Sequence, residues 1–191
     1  MRVEDGIYFS PNLKYYDIDF NHPDSLVEAF RDRIKQYYIE PIKKLNDDHD
    51  AFAAGLICVT TIDVLSRLKY DIDEVRKRYV GWLISEIPDF GLPGLKNKEQ
   101  KVADLFYRQF RNGLVHEGRI KDGGQFSYLF GDLITLEDSF MVINPRQLVE
   151  KIEIAFDKYI FDVLSKPEEL QKLLKIIEQD FGADIAQAKR F

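Results

Sequence analysis

The sequence predicts a mostly α-helical bundle of five to six helices, with a small β-hairpin insertion and an N-terminal extended arm. Three observations lead there. Apolar side chains recur at three- and four-residue spacing through most of the chain. The stretch AFAAGLICVTTIDVLSRL is apolar on most faces, as the central helix of a bundle must be. Residues 122–143 change character, with two short apolar runs set off by Asp-Gly-Gly.

Residues 1–20 are aromatic and polar, with Tyr8, Tyr15, Tyr16 and Phe20 and a turn signal at Ser10-Pro11-Asn12, and they read as an arm packed on the body. Asn21-His22-Pro23-Asp24 starts the first helix, since proline is tolerated in a first turn. It runs through Leu26, Phe30, Ile34, Tyr37 and Tyr38. Pro41 should kink or end it, because an interior proline has no N–H to give and its ring meets the carbonyl four residues back. Ile42 to Leu45 are then a further turn. Asp47-Asp48-His49-Asp50 opens the second, apolar helix, its acids placed where the helix dipole favours them.

Asp71-Ile72-Asp73-Glu74 is expected to start a third helix, through Val75, Tyr79, Trp82, Leu83 and Ile84 to Pro88. Asp89 to Gly94 is a loop by its glycines and prolines. A fourth helix is expected from about Asn97 to His116, striped by Val102, Leu105, Phe106, Phe110 and Leu114 and ended by Gly118. FSYLF and SFMVI are the expected hairpin strands. From Pro145 the helical period returns through Leu148, Ile152, Ile154, Phe156 and Ile160. Pro167 opens a last helix and tail over 167–191, with Leu170, Leu173, Leu174, Ile177 and Phe181 on its apolar side. No internal repeat or low-complexity linker interrupts this, so 1–191 reads as one domain.

Composition narrows the function. Apolar residues make up 45% of the 191 and charged residues 31%, the range of ordinary globular domains. No stretch approaches eighteen uninterrupted apolar residues, so no membrane association is expected. The start, MRVEDGIYF, lacks the apolar run of a secretory signal, so a cytoplasmic location is expected. Cys58 is the single cysteine, which excludes a disulfide framework and a thiolate zinc site. A net charge of −6 argues against nonspecific coating of nucleic acid. Residues 95–121 nevertheless carry seven basic and three acidic side chains. Such a basic island either serves a partner or complements acids in the fold.

Within that island lies Phe110-Arg111-Asn112-Gly113-Leu114-Val115-His116-Glu117-Gly118-Arg119. Arginine is a permanent cation whose fork matches phosphate oxygens, and histidine exchanges a proton near neutral pH. With a carboxamide beside them, these groups suit chemistry on a phosphodiester. Asn112 and His116, four apart, share a helix face, as do Arg108 and Asn112. Arg111 and His116, five apart, stand about 140° around an ideal helix. One straight helix would not aim both at one atom, so either the helix loosens near Gly113 or a second copy completes the site.

Blander roles compete with these. His116 could cap a helix C-terminus, and Arg111 could pair with Glu117 or Asp104. Asp63, an acid in the apolar helix, needs some partner, either a structural arginine or Arg111 or His116 themselves. His22 and His49 fit helix-start turns, and Cys58 fits a core. Asp47, Asp48, His49 and Asp50 are too close in sequence to converge on one metal ion.

RNGLVH resembles the signature of the HEPN superfamily (higher eukaryotes and prokaryotes nucleotide-binding), and LICVTTIDVLSRL is similar to the apolar helix that precedes it. The resemblance covers roughly residues 50–120. It implies a helical bundle that dimerises through the motif helices, and in many members a metal-independent endoribonuclease of toxin–antitoxin or phage-defence systems. Other members are inactive modules that bind RNA, a nucleotide or a protein. By that resemblance Arg111, Asn112 and His116 are the catalytic set, with a 2′,3′-cyclic phosphate as product. Arg108, Arg119 and Lys121 are the expected RNA-binding cations, and Asp63 is expected to hold Arg111 or His116 in place. A homodimer, RNA and an antitoxin protein are the implied partners; no cofactor and no metal are expected. The arm and the hairpin lie outside the minimal family pattern.

Overall fold

The computed structural model describes residues 2–3, 6–94, 100–137 and 140–188. The protein is a mostly α-helical bundle carrying a small β-sheet. Its chain falls into two compact units, Met1–Glu40 with Phe156–Phe191, and Pro41–Ala155.

In the first unit a short antiparallel ladder, β1 (Arg2–Val3) with β2 (Gly6–Ile7), precedes a bridge between Tyr8 and Lys14 and a 3-10 turn at Tyr15–Asp17. The arm is fastened at Phe9, which is fully buried, edge-on to both Tyr15 and Phe181 at 5.3 Å. Helix α1 (Pro23–Ile34) starts on Pro23, with His22 at its N-cap. Its Arg33 donates to the Phe9 carbonyl and lies against the rings of Phe9, Tyr37 and Phe181. The end of α7 (Pro145–Ser165) and α8 (Pro167–Ala188) complete the unit, burying Phe156, Ile160, Val163, Leu173 and Ile177.

Pro41 does not end the first helix. A π-turn at Lys35–Ile39 leads directly into α2 (Glu40–Asp47), and the Glu40 N–H donates five residues back, to Lys35. Widening the turn by one residue just ahead of the proline accommodates its missing donor and its ring.

The second unit is built on α3 (Ala51–Lys69), whose Ala54, Cys58, Val59, Ile62, Leu65 and Leu68 are buried. By length and composition α3 meets the requirement of a membrane span, a possibility that counting uninterrupted apolar runs had set aside. In the fold these side chains are enclosed by protein, as in a core helix. Beside it lies α4 (Val75–Glu86), burying Tyr79, Trp82 and Leu83. It begins four residues later than the acids at 71–74 suggest, with Glu74 as its N-cap.

The fourth helix also starts late. Residues 97–99 lie outside the described residues, and Lys101 is still extended, in a bridge with Pro93. Helix α5 (Val102–Phe106) then passes through a second π-turn, Tyr107–Arg111, into α6 (Asn112–Glu117). Phe90 meets Phe106 edge-on, Phe106 stacks on Phe110, and Phe126 continues this aromatic row, tilted at 4.9 Å from Phe110.

The insertion is a three-stranded mixed sheet rather than the hairpin of FSYLF with SFMVI. Its antiparallel pair is β4 (Ile134–Glu137) with β5 (Phe140–Ile143), and FSYLF contributes only through the end of β3 (Gln125–Phe126), parallel to β5. Tertiary contacts claim the rest of FSYLF: the Tyr128 hydroxyl donates to Asn46 at 2.8 Å, and Leu129 is exposed.

Candidate functional site

The π-turn ends on the motif arginine. The Asn112 N–H donates to Tyr107, five residues back, so the turn holds one residue more than an α-turn. Everything after it is rotated by about 100° relative to an uninterrupted helix. Arg111 faces α3, where its Nε and Nη2 donate to Asp63 Oδ2 at 3.2 and 2.7 Å. Its guanidinium also lies over the Tyr107 ring, 5.6 Å from the centroid. The remaining nitrogen, Nη1, points the other way, to His116 Nε2 at 3.0 Å and Asn112 Oδ1 at 3.4 Å.

One chain therefore brings Arg111, Asn112 and His116 together. The offset of about 140° is spanned by the arginine stem, while residues 112–117 remain regular α-helix. The helix does widen, but before the arginine rather than near Gly113. A guanidinium only donates, so this contact needs the Nε2 lone pair and places the imidazole proton on Nδ1. His116 is exposed, whereas the Arg111 side chain is 12% exposed and Asp63 23%. A nearly enclosed cation is thus held beside an accessible imidazole.

Gly118 ends the helix in the left-handed conformation (φ 65°), its N–H donating to Leu114. The chain then turns back: the Arg119 N–H donates to Gly113 and the Lys121 N–H to Gln109. A Cβ on Gly113 would stand 2.3 Å from the Arg119 carbonyl oxygen, so only glycine admits this return. Gly113→Ala is expected to destabilise the protein by about 1–3 kcal/mol, the usual size of overpacking, in a denaturant titration. An unchanged midpoint would show that the return strand yields freely.

Asp63 has a second cation that sequence reasoning missed. Arg78 Nη2, from α4, is 3.6 Å from Asp63 Oδ1, and the Arg78 side chain is 17% exposed. Three adjacent bases, Arg76, Lys77 and Arg78, hid it. Arg76 pairs with Asp104 and Lys77 with Glu74, and only Arg78 turns inward beside buried Tyr79 and Trp82. Helical spacing to Val75 and Trp82 was the available signal.

Three further cations of the basic island are matched with acids. Arg108 stands 3.6 Å from Asp122, Arg119 2.9 Å from Glu117, and Lys121 donates to Glu117. Lys121 and Arg119 hold the Glu117 carboxyl below its ordinary value, the Lys121 hydrogen bond chief among the causes. Exposed pairs of this kind contribute little to stability. Asp104 and Glu117 having other partners, neither pairs with Arg111.

Below the site, the Tyr79 hydroxyl donates to Val59, and burial, followed by the charge of Asp63, pushes its pKa well up. Burial likewise raises the Cys58 thiol, which leaves no accessible thiolate there. His49 Nδ1 lies 3.1 Å from the Asp47 carbonyl, in the turn before α3. No group of three metal-ligating side chains occurs among the described residues. A cavity of about 330 Å³ lies in the first unit between Tyr15, Tyr16, Phe20 and Asn21, and none of the motif residues lines it.

Comparison of the chain with protein-family models, curated proteins and solved structures finds no match.

Proposed function

We propose that this protein is a metal-independent endoribonuclease of HEPN type, serving in a toxin–antitoxin or phage-defence system. The observation that carries this reading is the 3.0 Å approach of Arg111 Nη1 to the imidazole of exposed His116. A phosphodiester entering there meets at once a proton carrier and a cation that Asp63 holds at rest. As Arg111 Nη1 turns from Nε2 to the phosphate, the Nε2 lone pair is freed; His116 then takes the proton of a ribose 2′-hydroxyl, and the 2′-oxygen attacks phosphorus. Arg111 stabilises the added charge on the phosphorane, and Asn112 orients the phosphate or the imidazole. The bond to the 5′-oxygen breaks, that oxygen leaves with a proton, and a 2′,3′-cyclic phosphate remains. Arg108, Arg119 and Lys121 hold flanking phosphates by exchanging their acids for them.

In an in-line displacement the attacking and leaving oxygens lie on opposite sides of phosphorus, so a single imidazole serves only one of them. That favours a homodimer in which two His116 side chains face one substrate, although joining Arg111 to His116 needs no second copy. Light scattering at micromolar concentration is expected to give a mass near twice 22.4 kDa. A monomer at every concentration would assign the second proton transfer to water.

The rival reading, an inactive module binding RNA, a nucleotide or a protein, draws support from the pairing of Arg108, Arg119 and Lys121 with acids. Incubation with a mixed RNA pool in EDTA separates the two. The ribonuclease reading expects undiminished cleavage, and binding without cleavage under any condition would establish the inert module.

A further inference from the structure

We propose that Arg78 is a positioning residue for Arg111: it takes up Asp63 when an anionic ligand draws Arg111 away. The proposal rests on the reading of the site as one for phosphodiesters. Asp63 spends both Arg111 hydrogen bonds on a single oxygen, Oδ2. The other oxygen, Oδ1, is buried and accepts none, and Arg78 Nε is buried without a partner. Arg78 Nη2 stands 3.6 Å from that same Oδ1, inside ion-pair range and beyond a hydrogen bond. A movement of under about one ångström would bring it to the usual 2.9 Å.

Two guanidinium groups thus share one carboxylate, leaving a surplus positive charge in a largely enclosed cluster. A structural pair would need one arginine only. For ligand exchange the second has a use. When Arg111 turns its fork to a phosphate, Asp63 would otherwise be left enclosed and unpaired, a state that opposes release. Closing of Arg78 onto Oδ1 removes that opposition, so Arg111 can be held firmly at rest and still be yielded to substrate.

The test uses single-stranded DNA as probe, since it presents phosphates and lacks the 2′-hydroxyl, and it compares Arg78→Gln, Arg78→Lys, Arg111→Gln and the double variant Arg78→Gln/Arg111→Gln. Arg78→Gln is expected to weaken DNA binding about tenfold, the size of a coupling between neighbouring charged groups. Arg78→Lys, which keeps the charge, should recover most of it. In the Arg111→Gln background, Arg78→Gln should leave the remaining affinity unchanged, because no Arg111 remains to be released. A merely structural Arg78 would cause the same loss in both backgrounds, and that result overturns the proposal. Thermal unfolding is expected to show the double variant falling by more than the sum of the singles, since Asp63 loses both partners; strict additivity also overturns it. Wild-type protein that binds no DNA and cuts no RNA defeats the ribonuclease reading and the exchange together. Wild-type binding that Arg78→Gln leaves untouched defeats the exchange alone.

Discussion

Replacing His116 with alanine is expected to lower RNA cleavage by about 10²–10⁴-fold, the usual contribution of a positioned acid or base. The side chain is exposed and its recorded hydrogen bond is to Arg111 Nη1, so its loss disturbs no core packing. Unfolding midpoints should therefore stay within the small range of surface substitutions, and affinity for RNA should change little. Cleavage that survives His116→Ala intact would place the proton transfer on another group. Arg111→Ala differs, because it removes both the phosphorane contact and the partner of Asp63; it should reduce cleavage, binding and stability together.

The largest stability effect is expected at Asp63. Asp63→Ala leaves Arg111 and Arg78 side by side with their common counter-ion gone and both side chains largely enclosed. Breaking such a pair by removing one partner costs about 3–5 kcal/mol. A denaturant titration reads this directly, as a lower midpoint at unchanged slope. A loss near zero would mean that water screens the cluster as it does an exposed pair, and the account of a firmly held Arg111 would fail.

Local chemistry made much of the bundle legible. Pro23 marks the start of α1, the apolar run marks α3, and Gly118 ends α6 in the left-handed conformation that few other residues take up. The two π-turns were not legible, because one extra residue in a turn leaves the apolar stripe nearly intact. Phe106, Phe110 and Leu114, before, within and after the second one, are all buried. FSYLF has the composition of a strand, yet Phe126 packs on Phe110 and Tyr128 bonds Asn46, contacts that no local pattern encodes. At the site, RNGLVH and the lone acid of α3 marked Arg111, Asn112, His116 and Asp63. Their grouping in one chain was hidden because angular spacing takes no account of how far an arginine stem reaches. Arg78 was hidden among like charges.

The chemistry of the cut ends tests the central claim most directly. Purified protein is incubated with a defined RNA in EDTA, and the new termini are identified by phosphorus NMR or mass spectrometry. Attack by the 2′-oxygen under His116 and Arg111 predicts a 2′,3′-cyclic phosphate on one fragment and a free 5′-hydroxyl on the other. A 3′-hydroxyl with a 5′-phosphate, or cleavage that stops in EDTA, would contradict it.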